Sequence, residues 1–248
     1  MKLRGLPFLF LSVLAAAQGW TRPQVEEAMG TRDFVLLRDD GTSVARWARR
    51  VKAGEAFAPC STFKLPHALV ALQAGVLTLD RQTQTCARAE CHGEHGTLDL
   101  AAAIRESCVS YFRQTARALE PLRMTQGLKA LGYPVTGPLV PLDGFWLEGK
   151  LRLTPEQQLA WIRRFYTEPL GVAPVHLDLV RRATLRAPGP DFALEGKTGS
   201  GRDGLGWFVG QATRDGRRLW VVLLLRGRGA SGPEAERRLR SLLAGGSW

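Results

Sequence analysis

A serine stands three residues ahead of a lysine, Ser61 and Lys64 in Pro59-Cys60-Ser61-Thr62-Phe63-Lys64, and the apolar run Leu65-Pro66-His67-Ala68-Leu69-Val70-Ala71-Leu72 follows. At the start of a helix this spacing puts hydroxyl and amine on one face about one turn apart, where a neutral amine can take the hydroxyl's proton and leave a nucleophile. Backbone N–H groups and the positive dipole end at a helix N-terminus favour an oxyanion forming there. The alternative is a serine that only caps its helix and a solvated lysine; spacing alone does not separate the two. Two further stretches carry chemistry. Ser107-Cys108-Val109 opens a second helical run, and Lys197-Thr198-Gly199 lies in a strand-like run. Gly199 admits close approach of a substrate amide, and Lys197 and Thr198 offer a cation and a hydroxyl to a carboxylate.

These residues need a scaffold that makes them converge. A short helix is expected over 22–29, a strand over 33–38, the turn Asp39-Asp40-Gly41, and a return strand over 42–49. The Ser61 helix should run over 61–77 and end near Gly75. Helical texture then continues to about residue 182, with helices over 98–104, 109–119, 124–131 and 154–166. The last begins Thr154-Pro155-Glu156, an N-cap, an N1 proline and an acidic first turn. After Pro188-Gly189-Pro190 come strand-like runs 192–198, 206–213 and 219–226, then an amphipathic helix over 233–243 with Ala235, Leu239, Leu242 and Leu243 on one face. The expected fold is α/β (α+β): a five-stranded antiparallel sheet flanked by terminal helices, with a helical subdomain inserted. The sheet subdomain covers about 22–58 and 188–248, the helical one about 59–187, and a cleft lies where they meet.

With 248 residues, 45% hydrophobic and 23% charged, the chain can bury one large core or two packed subdomains. Lys2 and Arg4, the apolar run from Leu6 to Leu14 and Ala15-Ala16-Ala17 have the layout of a secretory signal over 1–17, cleaved after Ala17. An exported protein, periplasmic or secreted, is expected, with no stable membrane insertion once the signal is removed, since the run is short for a membrane span. The net charge of +11 comes from scattered arginines without interleaved aromatics, so nucleic acid is not an expected partner. Oligomeric state is not legible. Of four cysteines, Cys86 and Cys91 could close a small ring, and Cys60 and Cys108 could meet because each adjoins a candidate catalytic serine. Pairing stays open at this level. Cys86, Cys91, His92 and His95 match no standard zinc spacing, and no metal is expected.

Ser-x-x-Lys with Ser-Asp-Asn and Lys-Thr-Gly is the motif set of class A β-lactamases and penicillin-binding proteins. Here valine, Val109, stands where those have asparagine. Together with Pro59-Cys60-Ser61-Thr62-Phe63-Lys64 and Phe145-Trp146-Leu147-Glu148-Gly149, this resembles the class D serine β-lactamases, the oxacillinases, from about Asp33 to Leu243. The resemblance implies β-lactam hydrolysis and antibiotic resistance, with Ser61 acylated and Lys64 as general base, carboxylated on its amine (N6-carboxylysine) by carbon dioxide or bicarbonate and needing no other cofactor. It implies Ser107 in a proton relay, Trp146 donating its indole N–H to the carbamate, and Val109 and Leu147 as apolar walls. Lys197 and Thr198 would hold the substrate carboxylate, helped by Arg237 or Arg238, beside Gly199. The N–H groups of Ser61 and Ser200 would form the oxyanion hole. Independently, a dry pocket of Phe63, Val109, Trp146 and Leu147 would lower the lysine's pKa, and only a neutral amine adds carbon dioxide. Where the family has Tyr-Gly-Asn this chain has Tyr133-Pro134-Val135. His67 reads as a packed histidine. The alternative activity is a penicillin-binding sensor domain that acylates without efficient hydrolysis.

Overall fold

Both ends of the chain carry the alternating apolar pattern of strands, and in the computed structural model they pair with each other. The structure describes residues 19–91, 95–135, 137–246 and 248; the expected signal at 1–17 and His92 lie outside them. Helix α1 (Arg22–Met29) leads into β1 (Asp33–Asp39) and β2 (Val44–Arg49), and the chain returns late as β5 (Ala193–Gly201), β6 (Leu205–Arg214) and β7 (Arg217–Arg226). The five strands form one antiparallel sheet in the order β2-β1-β7-β6-β5. The terminal helix α7 spans Gly232–Gly245.

Because side chains alternate across a strand, each strand feeds two cores. Phe34, Leu36, Phe208, Val221, Leu223 and Leu225 face α1 and α7. Val35, Leu37, Trp207, Val209, Val222 and Leu224 face the intervening helices. Those are α2 (Lys64–Gln73), α3 (Leu100–Arg105), α4 (Val109–Ala130), α5 (Pro155–Thr167) and α6 (Pro174–Arg182), with a small hairpin of β3 (Gln84–Cys86) and β4 (Gly96–Leu98).

The elements differ from expectation in three places. Residues Cys60–Phe63 form a 3₁₀ helix, so α2 begins only at Lys64. The helices expected over 109–119 and 124–131 join into α4, broken at Glu120 (φ 63°, ψ 161°), because Pro121 donates no hydrogen bond and keeps the residue before it out of the α region. The β3–β4 hairpin and α6 were not foreseen as separate elements. Among the described residues no helix is long and apolar enough to cross a membrane.

Candidate active site

Every residue of α2 from Lys64 to Leu72 is buried, as befits a helix apolar on all sides. Its entrance is pinned from three directions. Cys60 N–H donates to the Trp146 carbonyl at 2.9 Å, Trp207 Nε1 donates to the Ala58 carbonyl at 2.9 Å, and Gln158 Nε2 donates to Thr62 Oγ1 at 2.8 Å, which itself donates to the Pro59 carbonyl. In a 3₁₀ turn residues three apart eclipse, so Lys64 sits directly over Ser61. Its Nζ donates to Ser61 Oγ at 2.7 Å.

Lys64 has no solvent exposure, and burial pulls its pKa down to about 7, since removing the ammonium from water penalises the charged form. About half of the amine is therefore neutral near pH 7 and able to accept a proton. The adjacent Cys60 thiol is no rival nucleophile, because burial pushes it up to about 12.

The walls round Lys64 are aromatic. Phe63 stacks on Trp146 with ring centres 5.6 Å apart and 21° between planes, and the Lys64 Nζ lies 5.5 Å from the centre of Phe112. Trp146 Nε1 is buried without a hydrogen-bond partner, which is unusual for an indole N–H. His67, fully buried against Phe63, Phe112 and Trp146, likewise leaves both ring nitrogens unpartnered, and burial holds its pKa down to about 3.

Ser107, at φ 56°, lies between α3 and α4. Lys197 reaches it from β5, its Nζ donating to Ser107 Oγ and to the Thr198 carbonyl, both at 3.0 Å. Lys197 is buried too, and its pKa is driven well down by burial first and by Lys64 second. A Cβ on Gly199 would stand 3.0 Å from the Pro59 oxygen and 3.3 Å from the Ser61 nitrogen, so glycine is what lets β5 lie against the 3₁₀ turn. Ser200 is exposed on the same strand, and its Oγ accepts from Gly232 N–H at 2.9 Å.

Val109 is half-buried as the first residue of α4, and Leu147 packs half-buried on the core. Leu147 and Gly201 line a cavity of about 290 Å³ whose rim carries Arg152, Arg202 and Arg226. Glu148 pairs with Arg202 at 2.7 Å.

Arg237 stands on α7, the helix that packs against β5. It is exposed and lies five residues, about 140° of helix, from Gly232, the position whose added Cβ would stand 2.8 Å from the Gly199 nitrogen. Arg238 is committed elsewhere, to Glu234 at 2.9 Å and the Ala28 carbonyl at 2.8 Å. Tyr133 is a core residue, edge-on to Phe63 and Trp161. The Cys60–Cys108 meeting does not occur: Cys60 is a free thiol, and Cys108 lies with Cys86. Sequence reasoning missed Phe112 and Gln158. Phe112 was accessible as the residue one turn after Val109 on the inner face of α4; nothing local marks Gln158.

The model of the penicillin binding protein transpeptidase domain matches residues 39–244. Beta-lactamase OXA-5 of Pseudomonas aeruginosa is 30% identical over 71% of this chain and 69% of that enzyme. The chain belongs to the class D serine β-lactamases. Beta-lactamase OXA-48 of Klebsiella pneumoniae is 31% identical over 66% of this chain and 64% of its own length, a little under two thirds. Among solved structures, the class D β-lactamase BAT-2 superposes with a TM-score of 0.80 at 28% identity, over 89% of this chain and 94% of that one. A class D β-lactamase from Bacillus subtilis gives 0.78 at 25%, with the same coverage.

Proposed function

We propose that this class D β-lactamase is an exported enzyme that opens β-lactam rings through an acyl-enzyme on Ser61. The observation that carries the reading is the fully buried Lys64 amine 2.7 Å from Ser61 Oγ. Lys64 takes the Ser61 proton as the oxygen attacks the strained carbonyl. Ser61 N–H, at the open start of the 3₁₀ turn, and Ser200 N–H, on β5 beside it, receive the oxyanion. Lys197 and Thr198 hold the substrate carboxylate, while Ser107, bonded to Lys197, passes a proton to the departing ring nitrogen.

A carboxylated Lys64 fits the site. The unpartnered Trp146 Nε1 is a donor awaiting an acceptor, and the low pKa of Lys64 supplies the neutral amine that carbon dioxide requires. The carbamate would supply an anionic base for the water that releases the acyl group.

Intact mass after mixing with a penicillin tests the reading. A transient adduct is expected at Ser61, absent in Ser61→Ala, and cleared faster with bicarbonate. An adduct that persists for hours in both conditions would instead establish a penicillin-binding sensor. Export is checked by mature N-terminal sequencing, where a start at Gln18 is expected.

A further inference from the structure

Three cysteines from separate elements converge beside the active site. Cys86 ends β3, Cys91 follows it in the hairpin loop, and Cys108 caps α4; their sulfurs all lie within 4.8 Å of one another. Cys86 is placed to bond to both neighbours, with Cα separations of 6.8 Å to Cys91 and 6.1 Å to Cys108, both inside the range a disulfide spans. One sulfur makes one disulfide. The two bonds exclude each other, and one of the three cysteines is always left as a thiol.

The surroundings differ in ways that suit exchange. Cys86 and Cys108 are buried, whereas Cys91 is half-buried and reachable by small reagents. Cys108 Sγ accepts the Tyr111 N–H at 3.3 Å and lies 3.4 Å from Ser110 Oγ. Cys108 caps α4, so its sulfur keeps a backbone N–H donor when the bond to Cys86 breaks.

We propose that Cys86, Cys91 and Cys108 form a thiol–disulfide exchange site in which Cys86 bonds alternately to Cys91 and Cys108 and the spare thiol is open to modification. The Cys91 thiolate attacks Cys86 Sγ, the Cys86–Cys91 bond forms as the Cys86–Cys108 bond breaks, and the electron pair leaves on the Cys108 sulfur. The proton Cys91 gives to solvent is regained by Cys108, so the exchange is redox-neutral. The first bond needs a small-molecule disulfide, which is reduced to two thiols as Cys86 and its partner lose two electrons and two protons. In one state β3 is tied to the residue after Ser107. In the other that tie is released, and Ser107 keeps its bond to Lys197.

The test takes the full chain oxidised with glutathione disulfide, pulsed with iodoacetamide and mapped by peptide mass. Cys86 should be disulfide-bonded throughout, with the label shared between Cys91 and Cys108. Label confined to one of them would show a fixed disulfide and overturn exchange. So would three thiols, with or without a bound soft metal such as zinc. This mapping does not depend on the proposed activity. Cys91→Ser and Cys108→Ser each retain one pairing. Their oxidised forms should hydrolyse a chromogenic cephalosporin at rates that differ several-fold and converge on reduction. Equal oxidised rates would overturn the coupling to Ser107.

Discussion

Lys64 is a residue whose environment contradicts its chemistry, and that contradiction is measurable. With its pKa near 7, the amine is neutral above that pH and charged below it. In buffer free of carbon dioxide the acylation rate is expected to fall about tenfold between pH 8 and pH 6, and a pre-steady-state pH profile flat across that window would remove the Lys64 amine as base. The same burial costs stability: the unfolded lysine keeps its proton up to about pH 10.5, so between the two pKa values the unfolded state binds more protons and stability rises with pH. Lys64→Met should abolish turnover yet raise stability at pH 7, in buffer free of carbon dioxide, by about 1–2 kcal/mol, or roughly 2–8 °C in Tm. Trp146→Phe keeps a ring against Phe63 and removes only the unpartnered N–H. Loss of one hydrogen bond to a charged group, about 1.5–3 kcal/mol, predicts deacylation about 10–150-fold slower with acylation little changed, which single-turnover mass spectrometry separates.

The site depends on how close a few elements approach. Strand β5 reaches the 3₁₀ turn because position 199 has no side chain. Gly199→Ala should push β5 away from Ser61, so acylation should slow at least tenfold while circular dichroism shows the fold retained. Unchanged kinetics would mean that the 3.0 Å contact with Pro59 relaxes freely. The 3₁₀ turn was not legible in the sequence, because the choice between 3₁₀ and α at a helix start is settled by anchors such as Trp146, Trp207 and Gln158, all distant in the chain. By contrast, α5 was visible from Thr154-Pro155-Glu156, whose capping box is local: Thr154 Oγ1 accepts from Gln157 N–H at 3.2 Å.

At the scale of the molecule, the sheet joins two sequence ends and serves two cores. β7 is central, pairing with β1 on one side and β6 on the other, so its side chains matter to both layers. Leu223→Ala, fully buried toward α1 and α7, should cost about 2–5 kcal/mol. Chemical denaturation would read this as a lower midpoint, while the retained folded fraction keeps its kcat, because the site lies on the opposite face. A matching loss of kcat would show that the layers are coupled.

The sequence by itself placed Ser61 three residues before Lys64 and gave the order of motifs, the early hairpin, the late three-strand meander and both outer helices, since each is carried by local spacing or by apolar alternation. Only the tertiary structure decided that Lys64 is dry, that Lys197 holds Ser107, that Arg238 is held by Glu234 and that Cys108 meets Cys86 in place of Cys60. Burial and side-chain reach depend on which distant segments close over a residue, and no local pattern encodes that.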